Sequence, residues 1–431
     1  MTTIDLALYN LLVRVAQPVL RRKLARRAAA EPGYGEAVPE RFGHYTQAAE
    51  TRRDRVWVHA VSLGEARAAG VLMAALREVM PDIRFVLTNG TATGRAEGQR
   101  HLREGDVQVW QPWDTPEAVR AFLQHFKPRA GLLMETEVWP NLVAQSRQAG
   151  LPLALINARM SEKSLKAAMR WPGLMLPAFA GLQAVWAQTE ADAQRLRQLG
   201  ASVQAVTGNL KFDAQPDAAQ CAQAVAWRRV LKRPVVMLAS SREGEEALWL
   251  QALQELAQQN MAQGVQALIV PRHPQRVDEV ERLLQQAGWT VHRRSQWGTQ
   301  GPAADEGQVV WLGDSLGEMA LYYSLADVAL LGGSFAQLGG QNLIEAAACG
   351  CPVLMGPYTF NFAEVAEQAL VAGAAWRCTD MRAAWQQALQ WTAPAQAAAL
   401  SAAKEKARDF ARAHQGAAAT TAALVRSLLA E

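Results

Sequence analysis

The sequence predicts an α/β protein of two domains, each built around a doubly wound parallel sheet. Its 431 residues exceed what a single hydrophobic core usually serves, so the length favours two domains. Hydrophobic residues make up 50% of the chain and charged residues 19%, a balance that is typical of folded proteins and unlike that of disordered ones. Short apolar or β-branched runs alternate with helical stretches through both halves, which is the rhythm of βαβ units.

Each half of the chain contains six predicted strands. Those of the first half lie at residues 56–60, 83–88, 107–111, 130–134, 153–156 and 184–187. Those of the second half lie at residues 235–239, 267–270, 309–312, 328–331, 353–355 and 374–376. A turn-rich stretch between positions 203 and 216 separates the halves, so we predict domains at residues 31–205 and 206–431, the second including the carboxyl-terminal helices. We expect ligands beyond the carboxyl ends of the strands, in a cleft between the two domains.

The first 30 residues form a separate predicted segment, an amphipathic helix that lies at an anionic membrane surface. Apolar residues recur at helical spacing across residues 4–24, and a basic cluster closes the stretch. Pro18 lacks a backbone donor, so the helix could kink or break there. Polar interruptions argue against a transmembrane span, and no cleavage site of a secretory signal follows. Packing of the helix on its own domain explains the spacing equally well, but basic residues gain about 1 kcal/mol each near anionic lipid, which favours the membrane.

Composition and motifs exclude several classes of function. The four cysteines form neither a disulfide framework nor a paired CxxC pattern, which indicates a reducing compartment. No HExxH or DxD motif appears where a metal site would need one, so we predict no catalytic metal and no cofactor. The net charge of +4 is concentrated near the start, and no later segment combines a basic run with interleaved aromatic residues, so we expect no nucleic-acid partner.

In the first half, acidic residues follow two of the predicted strands. Glu65 comes after the first strand, at the start of a predicted helix over residues 66–79. Its spacing from Ser62 is that of a capping box, and capping alone explains this pair better than catalysis does. Glu135 and Glu137 follow the fourth strand, and a pair of acids at a strand end indicates a polar cleft. The helix dipole accounts for one of these two glutamates better than for both.

In the second half, the strand ends carry groups suited to an anion. Arg272 follows the strand at residues 267–270 and has prolines on both sides, so it offers a guanidinium to a phosphate or a carboxylate. A surface or interdomain ion pair is an equally good explanation of Arg272. The glycine-rich stretch at residues 339–345 opens a helix, where backbone N–H groups can approach a phosphate and Glu345 can accept hydrogen bonds from ribose hydroxyls.

Seven motifs, in order along nearly the whole chain, resemble those of the Kdo transferases of lipopolysaccharide synthesis, which attach 3-deoxy-D-manno-octulosonic acid (Kdo) to the lipid A precursor. They lie at residues 59–65, 135–141, 157–161, 206–213, 271–274, 313–318 and 356–362. The resemblance implies a GT-B glycosyltransferase, with two Rossmann-like domains facing across a cleft. It further implies that the amino-terminal domain meets the lipid and that the carboxyl-terminal domain binds the donor, CMP-Kdo.

The resemblance also implies roles for individual residues. Glu65 is similar to the general base of the family, and Glu135 and Lys211 are similar to its transition-state stabilisers. The residues that resemble the CMP contacts are Pro271, Arg272, Leu316, Gly317, Glu318, Asn342, Leu343, Ile344 and Glu345. The implied reaction is inverting transfer of Kdo from CMP-Kdo to the lipid A precursor, lipid IV-A. It would take place at the cytoplasmic face of the cell inner membrane, where the amino-terminal helix anchors the enzyme.

Two other functions remain open for this architecture. A GT-B transferase or epimerase that uses a UDP-sugar would have the same sheets, since a fold does not fix a function. The other alternative is a membrane-anchored scaffold that binds a nucleotide without catalysis, against which Glu65 and Glu135 argue only weakly. Comparing the binding of CMP and UDP distinguishes a UDP-sugar enzyme from a Kdo transferase. Measuring turnover distinguishes a scaffold from an enzyme.

Overall fold

The computed structural model of the protein describes residues 3–259, 264–302 and 308–430. The chain forms two compact units, one of residues 1–214 with 414–431 and one of residues 215–413. Within the described residues, each unit contains one seven-stranded parallel sheet. The two wound sheets agree with the predicted fold class.

The first unit has the strand order β3-β2-β1-β4-β5-β6-β7. Its strands are β1 (Arg55–His59), β2 (Arg84–Asn89), β3 (Val107–Trp110), β4 (Ala130–Met134), β5 (Leu153–Ala158), β6 (Ala184–Ala187) and β7 (Val203–Val206). Its helices are α1 (Thr3–Ala30), α2 (Leu63–Val79), α3 (Ala92–Gln99), α4 (Pro116–Phe126), α5 (Pro140–Gln148), α6 (Glu162–Ala168), α7 (Pro172–Ala180), α8 (Glu190–Gln198) and α17 (Ala417–Ala430).

The second unit has the strand order β10-β11-β9-β8-β12-β13-β14. Its strands are β8 (Val235–Ser241), β9 (Gln266–Pro271), β10 (Thr290–Arg293), β11 (Val309–Leu312), β12 (Val328–Leu331), β13 (Val353–Met355) and β14 (Ala375–Arg377). Its helices are α9 (Ala218–Val230), α10 (Glu245–Gln258), α11 (Val277–Gln286), α12 (Met319–Leu325), α13 (Ile344–Ala348), α14 (Ala363–Ala372), α15 (Met381–Thr392) and α16 (Ala397–Ala413).

The central strands are buried on both faces and mostly apolar because helices cover both sides of each sheet. All five residues of β1 and of β4 are buried, and so are all four of β12. The strand order reverses between β1 and β4 in the first sheet and between β8 and β12 in the second. Such switch points open a crevice at the carboxyl ends of the strands, so the loops after these four strands are where ligands are expected.

The sequence analysis missed two strands, and both lie at sheet edges. The residues of β7 alternate between partly buried and exposed, and β10 is at least partly exposed along its whole length. An edge strand packs against fewer neighbours than a central strand, so it needs no continuous apolar run and gives a weak signal in the sequence.

The last helix corrects the predicted domain boundary. The sequence analysis assigned all of residues 206–431 to the second domain, but residues 414–431 belong to the first unit. There α17 packs against α2 and contributes to the same hydrophobic core. Asp213 fixes its start by accepting hydrogen bonds from the backbone N–H groups of Gly416, at 2.5 Å, and Ala418, at 2.7 Å. An alanine-rich helix carries no pattern that tells one sheet from another, which is why the sequence did not place it.

Helix α1 continues through Pro18 without a break. One lost backbone hydrogen bond is tolerated there because the surrounding turn is exposed to solvent. Two polar contacts join α1 to the rest of the first unit: the Tyr9 hydroxyl donates to Asp114 at 2.9 Å, and Arg14 forms an exposed pair with Glu117.

One side of α1 carries large apolar side chains that are exposed to solvent. They are Leu8, Leu11, Leu12, Val15 and Val19, which we call the outer stripe of α1. Their spacing of three or four residues places them on one side of the helix, and each is at least 50% exposed. Among the helices that the structure describes, none combines the length and the apolar character needed to cross a bilayer.

Candidate functional site

Glu65 is held at the mouth of α2 by a capping arrangement. Ser62 accepts a hydrogen bond from the Glu65 backbone N–H at 3.3 Å and donates its hydroxyl to Glu65 Oε1 at 2.7 Å. The backbone N–H of Val61 donates to Glu65 Oε2 at 2.8 Å. Each carboxylate oxygen therefore accepts one hydrogen bond and keeps a second acceptor position. Burial raises the pKa of Glu65, and the nearby charge of Glu135 raises it further. The capping expected from the sequence is present. It orients the Glu65 side chain and leaves each carboxylate oxygen able to accept one more hydrogen bond.

Glu135 occupies a strained position directly after β4. Its φ of +53° lies in the left-handed region, which is uncommon for a residue with a side chain and typical of functional loops. Its backbone is bonded to β5 and to the residue after that strand: the Glu135 N–H donates to the Ile156 carbonyl at 3.1 Å, and the Glu135 carbonyl accepts from the Arg159 N–H at 3.2 Å. The Lys211 ammonium donates to Glu135 Oε1 at 2.9 Å. Both side chains are mostly buried, so the pair is shielded from water more than a surface ion pair is.

Lys211 reaches Glu135 because Asn157 fixes its backbone. The buried Asn157 side chain accepts a hydrogen bond from the Leu210 N–H at 3.0 Å, across 53 positions of sequence. Asn157 also has a positive φ, +49°. The sequence analysis included this position only within the family motif at residues 157–161. Its supporting role depends on a contact that is distant in sequence, so no local pattern could reveal it.

Glu137 is a third carboxylate in this cluster. Its side chain is 15% exposed, and it accepts a hydrogen bond from the Trp139 indole N–H at 2.8 Å. Burial raises its pKa to about 7, the hydrogen bond from Trp139 lowers it, and the charges of Glu65 and Glu135 raise it. The three glutamates therefore interact electrostatically at the ends of β1 and β4, where the strand order reverses.

Asp114 anchors the far end of the loop that carries Glu135 and Glu137. It accepts hydrogen bonds from the backbone N–H groups of Asn141, at 3.1 Å, and Leu142, at 2.8 Å, so it caps the start of α5. Burial raises the pKa of Asp114 to about 6. Because Asp114 also accepts a hydrogen bond from Tyr9, α1 and the carboxylate loop share one partly buried anchor. The sequence analysis did not identify this residue, which lies in no recognised motif.

In the second unit, a buried glutamate fixes the turn at residues 332–336, directly after β12. Glu245 accepts hydrogen bonds from the backbone N–H groups of Gly333 at 2.6 Å, Phe335 at 3.0 Å and Arg242 at 3.0 Å. It thereby joins the loops that follow β8 and β12, which are neighbours in the sheet. The sequence analysis did not identify Glu245. Its position in the first turn of α10 is the only local signal, and many surface acids share that position because the helix dipole favours them.

Arg272 and the glycine-rich stretch lie together at the same edge. Arg272 follows Pro271, the last residue of β9, and its Nε donates to the Gln341 side chain at 3.3 Å. Gly339 and Gly340 both have positive φ values, +88° and +77°, which residues with side chains rarely adopt. The side-chain oxygen of Asn342 accepts from the Ile344 N–H at 3.0 Å, which fixes the start of α13. This arrangement places a cation beside a turn whose backbone can approach an anion closely.

The remaining predicted nucleotide contacts differ in what they can offer. The side chains of Leu343 and Ile344 are buried, so only their backbone groups can reach a ligand, while Glu345 is partly buried. Leu316 is 76% exposed, and Gly317 has a φ of +84°. The carboxylate of Glu318 pairs with Arg294 at 3.0 Å.

Comparison with known proteins identifies the chain. A family model described as "3-Deoxy-D-manno-octulosonic-acid transferase (kdotransferase)" matches residues 36–214. A 3-deoxy-D-manno-octulosonic acid transferase of Bordetella pertussis is 48% identical over 424 residues, which cover 96% of this chain and 97% of that protein. The enzyme of the same name from Haemophilus influenzae is 29% identical over 361 residues, 83% of each chain.

A solved structure supports the same architecture. The structure of UDP-GlcNAc 2-epimerase from Neisseria meningitidis matches with a TM-score of 0.57 at 16% identity, covering 88% of this chain and 100% of that one. At this identity the likeness concerns the fold alone, and it agrees with two parallel-sheet α/β units of the GT-B kind. The sequence relatives carry the assignment further, because one of them is nearly half identical from end to end. The chain belongs to the family of 3-deoxy-D-manno-octulosonic acid transferases.

Proposed function

We propose that the protein moves Kdo from CMP-Kdo to a sugar hydroxyl of the lipid A precursor, lipid IV-A, with inversion at the anomeric carbon. Its family makes it a glycosyltransferase that transfers Kdo in lipopolysaccharide core synthesis. The proposal adds the donor, the acceptor, the stereochemistry and the residues that act. The observation that carries it is the carboxylate cluster of Glu65, Glu135 and Glu137, joined by Lys211, at the switch point of the first sheet.

In the proposed reaction Glu65 is the general base. Its carboxylate takes the proton of the acceptor hydroxyl, whose oxygen forms a bond to the anomeric carbon of Kdo. The bond between that carbon and the phosphate oxygen breaks on the opposite side, and its electron pair leaves with CMP. The raised pKa of Glu65 suits this role, because a base with a higher pKa is the stronger proton acceptor as long as it remains ionised.

Glu135 and Lys211 are proposed to stabilise the transition state. A developing positive charge at the anomeric carbon is favoured by a carboxylate, and negative charge on the donor is favoured by an ammonium group. The left-handed backbone at Glu135 fixes one group before the substrate binds. The hydrogen bond that the Leu210 N–H donates to Asn157 fixes the turn that carries Lys211. Such preorganisation is the main electrostatic contribution that a protein can make to this kind of reaction.

The second unit is proposed to bind CMP-Kdo through Arg272 and the glycine-rich stretch at residues 339–345. The CMP leaving group is a single phosphate ester, so a guanidinium and backbone N–H groups supply counter-charge without a metal ion. Glu318 and Glu345 are the proposed acceptors for hydroxyl groups of the nucleotide, and Leu316 offers an apolar surface to it.

Replacing Arg272 by alanine should weaken CMP binding while leaving the fold intact. Its charge-assisted hydrogen bond to a phosphate contributes about 1.5 to 3 kcal/mol, so we expect the Kd for CMP to rise roughly 10- to 150-fold. Isothermal titration with CMP measures this change. Arg282→Ala, on the exposed side of α11, is the matched control and should bind CMP normally. An unchanged Kd in Arg272→Ala would remove this residue from the donor site.

The nucleotide preference tests the proposed donor. Titrations of the purified protein with CMP and with UDP should show tighter binding of CMP. Both titrations are made in EDTA, because the proposal includes no metal. Preference for UDP would favour a UDP-sugar enzyme instead. Binding of CMP without any transfer to the lipid would favour a nucleotide-binding scaffold.

The proposed location is the cytoplasmic face of the inner membrane, with α1 lying in the lipid interface. The outer stripe of α1 exposes five apolar side chains to solvent, although burying them would remove apolar area from water. Basic residues at the end of the helix suit an anionic leaflet, where each contributes about 1 kcal/mol. The polar ties of Tyr9 and Arg14 to the first unit leave this stripe free to face the membrane.

Replacing Leu11 and Val15 by serine should release the protein from anionic vesicles. Both side chains are exposed on the outer stripe, so their loss removes apolar contact with lipid without opening a cavity in the protein. Co-sedimentation with vesicles of anionic phospholipid measures the bound fraction. The matched control replaces the exposed Val225 and Val230 of α9 by serine and should bind as the wild type does. Equal binding of the two double variants would contradict the interfacial role of α1.

A further inference from the structure

A buried chain of hydrogen bonds in the first sheet runs from Trp57 through Thr88 to His59, which lies beside Glu137. The Trp57 indole N–H donates to the Thr88 hydroxyl at 2.8 Å, and that hydroxyl lies 2.7 Å from Nδ1 of His59. The Trp57 indole nitrogen is a donor only, so the hydroxyl accepts from Trp57 and its own hydrogen can point to His59. His59 then accepts at Nδ1 and carries its proton on Nε2.

In this tautomer the Nε2–H group of His59 lies on the side of the ring nearest Glu137. His59 is fully buried, and burial lowers its pKa to about 3, so the ring is neutral. Its Nε2 is buried without a hydrogen-bond partner among the described residues, and the nearest carboxylate oxygen is Glu137 Oε2, 3.9 Å away. A buried N–H group without a partner costs free energy, so a small movement that closes this gap is favourable. The movement is favoured most when Glu137 is ionised, because a carboxylate is the stronger acceptor.

Glu137 is surrounded by groups that respond to its charge. Glu65 approaches it from α2, Glu135 from its own loop, and His59 from β1, while Lys211 is engaged by Glu135. An ionised Glu137 repels the negative charge of Glu65 and therefore favours protonation of Glu65. In the transfer step the Glu65 carboxylate becomes protonated, because it accepts the proton of the attacking hydroxyl. Repulsion by an ionised Glu137 therefore favours this step.

This inference rests on the function proposed above. We propose that Glu137 is a positioning residue of the transfer reaction: its ionised side chain, which accepts a hydrogen bond from Trp139 and faces the buried His59 ring, makes Glu65 a stronger base. Glu137 itself touches neither the attacking oxygen nor the anomeric carbon in this account. Transfer by the wild type should then become faster as Glu137 loses its proton. Burial and the two neighbouring glutamates raise the pKa of Glu137 to about 7, so this rise falls near neutral pH.

Single-turnover transfer rates over a range of pH test the proposal. In the wild type the rate should rise with an inflection near pH 7. Glu137→Gln keeps an acceptor for Trp139 but cannot ionise, so it should lose this inflection and be about fivefold slower above pH 8, with little difference below pH 6. Trp139→Phe, at an exposed position, removes a bond that lowers the pKa of Glu137, so its inflection should move to higher pH. A purely structural role would instead slow Glu137→Gln equally at every pH and leave the inflection in place.

A measurement independent of activity separates this inference from the proposed function. Protein labelled with 5-fluorotryptophan should give a fluorine resonance for Trp139 that Trp139→Phe identifies by its absence. We expect that resonance to titrate near pH 7 in the wild type and to lose this titration in Glu137→Gln. A Trp139 resonance that titrates equally in both proteins overturns the inference, even if Kdo transfer is intact. Absence of transfer with a titrating Trp139 overturns the proposed function instead.

Discussion

Glu65→Gln should lower the rate of Kdo transfer by about 10²- to 10⁴-fold while leaving the affinity for CMP nearly unchanged. The range is that of a positioned general base, which Gln cannot replace because its amide does not accept a proton near neutral pH. The Gln carbonyl can still accept one of the capping hydrogen bonds that Ser62 and Val61 donate, so α2 should keep its start. Transfer rates with detergent-dispersed acceptor and titration with CMP measure the two effects separately.

The matched control for this variant lies on the same helix. Glu78→Gln removes an exposed carboxylate of α2 and should transfer Kdo at the wild-type rate. Equal thermal stability of Glu65→Gln and the wild type would exclude a folding defect as the reason for lost activity. Near-normal transfer by a folded Glu65→Gln would leave this residue with the capping role alone.

Lys211→Ala should have the second-largest effect, a fall in kcat of about 10²- to 10³-fold. The substitution removes the proposed stabilising cation and also leaves the mostly buried Glu135 without its ion-pair partner. The added net negative charge near Glu65 should not compensate, because the donor and its leaving group are anionic. Steady-state kinetics should show the loss in kcat at saturating CMP-Kdo and acceptor.

A comparison of two variants gives this prediction its control. Lys211→Arg keeps the charge in a different geometry and should recover part of the rate, whereas Lys163→Ala, at an exposed position of α6, should leave it unchanged. A kcat for Lys211→Ala within about threefold of the wild type would show that the pair with Glu135 only supports the loop.

The central strands could be predicted from the sequence because burial on both faces leaves continuous apolar runs. Predicted strands such as residues 130–134 and 328–331 match β4 and β12 at both ends. The edge strands β7 and β10 and the return of α17 to the first unit could not be predicted. Edge strands need fewer apolar residues, and the docking of a terminal helix depends on contacts far apart in the chain.

The candidate site shows the same division between local and distant signals. The capping of Glu65 by Ser62 follows from a spacing of three residues, and the structure contains it. The family resemblance implied a stabilising role for both Lys211 and Glu135, but their ion pair spans 76 positions and was not predicted. The approach of His59 to Glu137 joins β1 to the loop after β4, and it emerges only when the two strands become neighbours in the sheet.

The most direct test of the account is mass spectrometry of the lipid product formed by purified protein, CMP-Kdo and lipid IV-A in EDTA. We predict that the acceptor gains the mass of one or more Kdo residues, that CMP is released in equal amount, and that Glu65→Gln forms almost no product. An acceptor whose mass does not change, or one that is modified only when a UDP-sugar replaces CMP-Kdo, would contradict the account.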